Sequence, residues 1–227
     1  MAMAVPCRLW LGGAISVHRD LALVSTRVQM VRACALSPAI LVCVDGLSSD
    51  VTAFRRVFRR PVRTGRRGRP RLVREKGLLL GQVVKQYAQR RVVSVARRVV
   101  CGTAEAIVAV LGTTNGGKDI NTASIERLHA TFRSALVPLV RRGRAIAHKE
   151  AMLTAGMSLV GCADNFCWSH ESLRLAAAEG ASQKWLERTP AMAAGLADHR
   201  WTMLELRSSQ GALPVCMAPK RRGRPPK

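Results

Sequence analysis

Residues 39–44 form a continuous apolar run, AILVCV, which stops abruptly at Asp45-Gly46. A strand with one wet face alternates apolar and polar residues, and this run does not alternate. It therefore reads as a strand covered on both faces and parallel to its neighbours. A buried parallel strand needs helices around it, which places the chain in the α/β class. An acid at the carboxyl end of such a strand lies where open α/β sheets place their ligands. Asp-Gly is also a common turn pair, so the position alone leaves both readings of Asp45 open.

Residues 121–142, NTASIERLHATFRSALVPLVRR, carry the second pattern. Ile125, Leu128, Phe132, Ala135, Leu136 and Leu139 recur at helical spacing and predict one apolar, buried stripe. Glu126 falls on the flank of that stripe, with His129 and Arg133 one and two turns later. A packed helix thus holds a carboxylate at the edge of the core with cations beside it. A Glu in a first turn also simply favours the helix dipole. Pro138 is expected to kink or end the helix.

The rest of the chain is less sharply patterned. Residues 8–18 and 21–25 read as two strands joined through His18, Arg19 and Asp20, and residues 28–36 as a short helix stopped at Ser37-Pro38. A helix is expected over 50–58. Residues 78–86 read as helical, and the Val-rich residues 90–101 as a strand ended by Gly102. Helix and strand are not separable over 107–111. Residues 152–160 are expected to be helical, and a small helix around Trp201 closes the domain within 191–206.

Charge narrows the partners. The chain has 227 residues with 37 Lys+Arg against 14 Asp+Glu, a formal net charge of +23. A field of that size favours a polyanion, and nucleic acid is the foremost one. The seven cysteines are an odd number without a disulfide framework, which suits a reducing cytoplasm, and a nucleic-acid partner adds the expectation of nucleoid association. No stretch is long enough to span a bilayer, so no membrane partner is expected. Within the basic residues 59–76, Arg67-Gly68-Arg69-Pro70 returns near the terminus as Arg222-Gly223-Arg224-Pro225. Gly lets the backbone approach a groove floor, Pro keeps it extended, and the two Arg side chains suit a narrow A·T minor groove. Both copies resemble the AT-hook, which makes Arg67, Arg69, Arg222 and Arg224 candidate DNA contacts.

The segment IERLHATFR, preceded by NTA and followed by NFCWSHESLR and RTPAMAAGLADHRWTMLEL, resembles DDE-type insertion-sequence transposases over residues 8–206. In that family the last catalytic acid precedes an Arg near the start of such a helix, commonly as E-R-x-N; His129 replaces the Asn here. The resemblance implies a ribonuclease-H-like mixed sheet flanked by helices. It makes Asp45 and Glu126 catalytic and metal-binding acids around two Mg²⁺ ions, or Mn²⁺ in their place, for phosphoryl transfer on DNA. Arg127 and Arg133 would then steer phosphates, and His170, Ser172 and Arg174 would position DNA or brace the Glu126 helix. Assembly as a homo-oligomer on paired element ends follows by analogy.

The family's first Asp lies on a central strand upstream of RLWLGGAISV, and Asp20 is the only acid before Asp45. The resemblance therefore implies an amino-terminal truncation that removes the central strand and one metal ligand, leaving a defective copy. The expected organisation is residues 1–58 as the first part of the catalytic domain and 59–76 as a basic linker. Residues 77–206 complete the domain, and 207–227 form an AT-hook-like tail. A non-catalytic AT-hook-like DNA-binding protein is the alternative. Two further motifs carry less. Gly112 to Lys118 matches a phosphate-cradling loop, but Asp119 stands where Ser or Thr is needed. Cys162, Cys167 and His170, with His148, have zinc-ligand chemistry, although Cys in an apolar stretch is more often core.

Overall fold

The structure is a computed structural model, which describes residues 1–18, 20–37, 39–63, 65, 68–114, 117–140, 149–178 and 182–209. Arg67, Arg222, Arg224, His148 and part of the Gly112–Lys118 loop lie outside the described residues.

The described residues build a mixed α/β structure. Its central sheet has three strands in the order β3-β6-β7: β3 is Leu41–Asp45, β6 is Leu79–Ala88 and β7 is Arg91–Cys101. The parallel strand expected from AILVCV is present. It pairs with β6 in parallel register from Leu41 opposite Leu79 to Asp45 opposite Val83. That pairing corrects the helical reading of residues 78–86. Val83, Val84 and Tyr87 favour a pleated surface, and pairing on both sides fixes the segment as a strand.

Two layers cover β3 and the first half of β6, whereas β7 is largely exposed, with Val92, Val93, Val95 and Val99 open to solvent. On one side, α1 (Leu21–Cys34) and α2 (Ser48–Val57) bury Val24, Val28, Ala53, Phe54 and Phe58 against Val44, Leu80 and Cys101. The expected strand at 21–25 is therefore wrong, and the short helix at 28–36 is the second half of α1. Asp20 is the reason: its carboxylate accepts from the Leu23 amide at 2.9 Å and caps the helix there. On the other side, α3 (Ala104–Gly112) places Ile107 and Leu111 against Val83 and Ile120.

The helix expected around Glu126 is α4, Ala123–Ala135, which stops before Pro138; a tight turn of three residues, Val137–Leu139, follows. Leu128 and Phe132 are buried, and Ile125, Leu136 and Leu139 pack around them, whereas Ala135 is exposed. The partner of this face is α5, Glu150–Phe166, longer at both ends than the expected 152–160. The reading of 8–18 as one strand shortens to β2 (Leu9–Gly12), paired with β1 (Ala2–Ala4). Trp10 in β2 lies between α4 and α5: its ring is 5.6 Å from Phe132, and Asn165 clamps its backbone with two hydrogen bonds of 2.8 and 2.9 Å.

The expected linker 59–76 is not structureless. It holds an antiparallel hairpin of β4 (Arg59–Val62) and β5 (Arg71–Arg74). Towards the carboxyl end, a two-residue pairing of β8 (Leu175–Ala176) with β9 (Trp185–Leu186) precedes two short helices, α6 (Pro190–Ala193) and α7 (Met203–Ser208). Trp201 lies between them and stacks on Phe166, so the single closing helix expected within 191–206 is two. Among the described residues no helix is long and apolar enough to cross a membrane.

Candidate functional site

Asp45 is the last residue of β3, so its side chain emerges exposed where the strand leaves the sheet, while Val44 before it is buried. The turn after it is held from the neighbouring strand: the buried Gln82 amide donates to the backbone oxygens of Asp45 and Leu47 at 3.2 and 3.4 Å. This brace fixes the backbone of Asp45 independently of its carboxylate.

Glu126 lies in the first turn of α4. The Thr122 hydroxyl donates to its Oε1 at 3.0 Å, and the Lys85 ammonium forms an ion pair with the same oxygen. Lys85 projects from β6 two residues beyond Val83, on the same face of the strand. The bond from Lys85 holds the Glu126 carboxyl below its usual range, and Glu126 in turn raises Lys85 above its own. Asp45 and Glu126 both add a favourable field at Lys85 and both act on His129. Burial, followed by the positive charges of the amino terminus and Arg133, lowers the His129 imidazole below its ordinary value.

The sheet rim and α4 thus bring Lys85 onto Glu126, and Asp45 and His129 to the lining of one cleft. Arg133 is half-buried beyond His129, and Arg127 is exposed on the neighbouring helix face. A cleft of about 470 Å³ opens beside them, lined by Met3, Val42, Asp45, Thr122, Ile125 and His129 among others. Two further acids reach it, but each has an arginine: Asp50 pairs with Arg27, and Asp119 lies 3.8 Å from Arg97.

The donor set does not fit two divalent ions. Such a site needs several hard oxygens free to converge, and one of the two rim acids already holds an ammonium. Among the described residues no three His, Cys, Asp or Glu side chains gather as metal ligands. The cysteine-histidine set is also engaged elsewhere. Cys167 Sγ lies 3.8 Å from the Thr202 oxygen, and His170 Nε2 lies 3.2 Å from Asp164. Gly112 is the last residue of α3, so the strand–loop–helix context of a phosphate loop is lacking.

His170 ties the turn after α5 to the buried Asp164 of that helix, and α5 packs on α4. The side chain of His170 thus contacts α5 and not the Glu126 helix itself. Arg174 lies over the Trp185 ring at 4.3 Å. Arg69 is exposed in the connection between β4 and β5. Lys85 and Thr122 escaped the sequence reading. With 78–86 taken as helix, Lys85 had no reason to face Glu126, although the two-residue alternation of β6 carries that signal.

The chain matches no family profile, no curated protein and no solved structure.

Proposed function

We propose that the chain is a DNA-binding protein of the transposase kind, on a ribonuclease-H-like framework whose rim carries Asp45 and Glu126. One observation carries the reading. Two acids from distant parts of the sequence, one ending a parallel strand and one starting a helix, flank one lysine: Glu126 pairs with Lys85, which stands two residues along β6 from Val83, the register partner of Asp45. The family resemblance of the residues around Glu126 and the charge of +23 support it. Arg127 and Arg133 are the nearest cations for a phosphate backbone. Arg67, Arg69, Arg222 and Arg224 are the arms reaching A·T-rich minor groove. Assembly of several copies on DNA, in the cytoplasm with the nucleoid, belongs to the same reading.

Strand cleavage is the activity that the resemblance suggests, with Mg²⁺ or Mn²⁺ as its cofactor. Lys85 on Glu126 favours the binding role for this chain, because the ammonium neutralises the carboxylate a metal needs. Supercoiled plasmid incubated with the protein, with and without Mg²⁺ or Mn²⁺, separates the two. The expected result is retained DNA without metal-dependent nicks. Nicks that disappear in Asp45→Ala would make the site catalytic as it stands. Failure to retain DNA at about 50 mM salt, where phosphate contacts are strong, would remove the whole reading.

A further inference from the structure

Residues 51–74 contain ten arginines and no acid. The acids that bound this stretch, Asp50 and Glu75, are both buried and both consumed by α1, through Arg27 and Arg32. Phe58 is fully buried at the foot of the β4–β5 hairpin, with the Arg32 guanidinium 5.6 Å from its ring, and the Glu75 amide donates to the Phe58 oxygen at 3.0 Å. The foot is therefore fixed to the core. Above it, seven of the eight strand residues are exposed.

The register makes the exposed part costly. Arg59 stands opposite Arg74, and Val62 opposite Arg71. Like charges directly across an antiparallel pair repel, and a lone two-stranded hairpin is marginal in water. None of Arg59, Arg60, Arg71 and Arg74 has an acidic partner among the described residues. Opposed residues share a face, so one face carries Arg59, Arg74, Pro61 and Leu72, and the other Arg60, Arg71, Val62 and Val73. A patch meant for a flat anionic surface would put its cations on one side. Cations on both faces of a narrow ribbon match a ligand with an anionic wall on each side. A duplex groove has this form, and the B-form major groove admits a two-stranded ribbon.

We propose that the β4–β5 hairpin is an arginine ribbon that enters a groove of duplex DNA, with Arg59, Arg60, Arg71 and Arg74 on the phosphates of the two walls. The proposal rests on the DNA-binding reading above and adds a second contact surface to the Arg-Gly-Arg-Pro arms and the α4 arginines. Phosphate beside the hairpin relieves the repulsion of Arg59 and Arg74, so the ribbon is ordered most firmly on DNA.

The test is the salt dependence of affinity for a short B-form duplex, measured by fluorescence anisotropy on the full chain. Each lost phosphate contact lowers the slope of log K against log salt by about 0.9. The variant Arg59→Gln, Arg60→Gln, Arg71→Gln, Arg74→Gln should lose about 3–4 from the slope, and bind about a thousandfold more weakly near 0.1 M salt. The pair Arg60→Gln, Arg71→Gln leaves the foot untouched and should lose about 2. The four Arg→Lys changes keep the charges and should keep the slope. Circular dichroism confirms folding of each variant. An unchanged slope in the folded pair variant overturns the ribbon and leaves DNA binding by other residues intact. No binding by the unaltered chain removes both. Duplex RNA has a deep, narrow major groove, so an equal loss on RNA would overturn the groove assignment.

Discussion

Lys85 sets the chemistry of the rim. Its ion pair with Glu126 is half-exposed on the carboxylate side, so its contribution to stability is at most about 1 kcal/mol. The sign follows from the two shifts. The lowered Glu126 stabilises the fold above its unfolded value near 4.5, and that stability is lost as pH falls through the folded value. The raised Lys85 contributes below its unfolded value near 10.5, and loses that contribution as pH rises through the folded one. Glu126→Gln should therefore lower the melting temperature slightly at neutral pH and leave it unchanged well below pH 4, as checked by melting curves across that range. An equal loss at pH 3 and pH 7 would mean that the ion pair is not the cause. The positions of Asp45 at a strand end and of Glu126 in a first helical turn were legible in the sequence, because pattern reveals the end of an apolar run and the start of an amphipathic helix. Their lysine partner was not, because its meaning depends on which way β6 is paired.

At the scale of elements, the short contacts decide what propensity left open. Asp20 turns a β-rich sequence into the start of α1 by accepting one amide hydrogen bond. The arginines of the basic segment hid β4 and β5, because the sequence has no apolar alternation there and the hairpin is held at its foot by Phe58 and Glu75. The parallel strand β3 and helix α4 were legible because each carries a clear apolar pattern, although β3 is an edge strand and only Val44 in it is fully buried. The position of α4 depends in turn on Trp10. A Cβ at Gly161 of α5 would come within 2.1 Å of the Trp10 ring, which Asn165 and Phe132 hold in place. Gly161→Ala should therefore destabilise the protein by about 1–3 kcal/mol through overpacking, measured by urea unfolding. A neutral result would show that Trp10 is free to move. His170→Ala should cost a similar amount, about 1–3 kcal/mol, by leaving the buried Asp164 carboxylate without its partner.

For the whole molecule the governing quantity is charge and where it is placed. Among the described residues the buried acids Asp50, Glu75 and Asp164 are paired with Arg27, Arg32 and His170, and exposed cations stand on the β4–β5 ribbon and on α4. A polyanion completes such a distribution, and salt screens its attraction. Composition counts the arginines, and the register adds that four of them stand on a two-stranded ribbon with cations facing both ways. Hydrogen–deuterium exchange on the full chain, with and without duplex DNA, tests this most directly. The account predicts that the amides of Arg59–Val62 and Arg71–Arg74 exchange fast in the free protein and are protected on DNA, while those of α7 are unchanged. DNA that binds and leaves the hairpin amides as fast as before would contradict it.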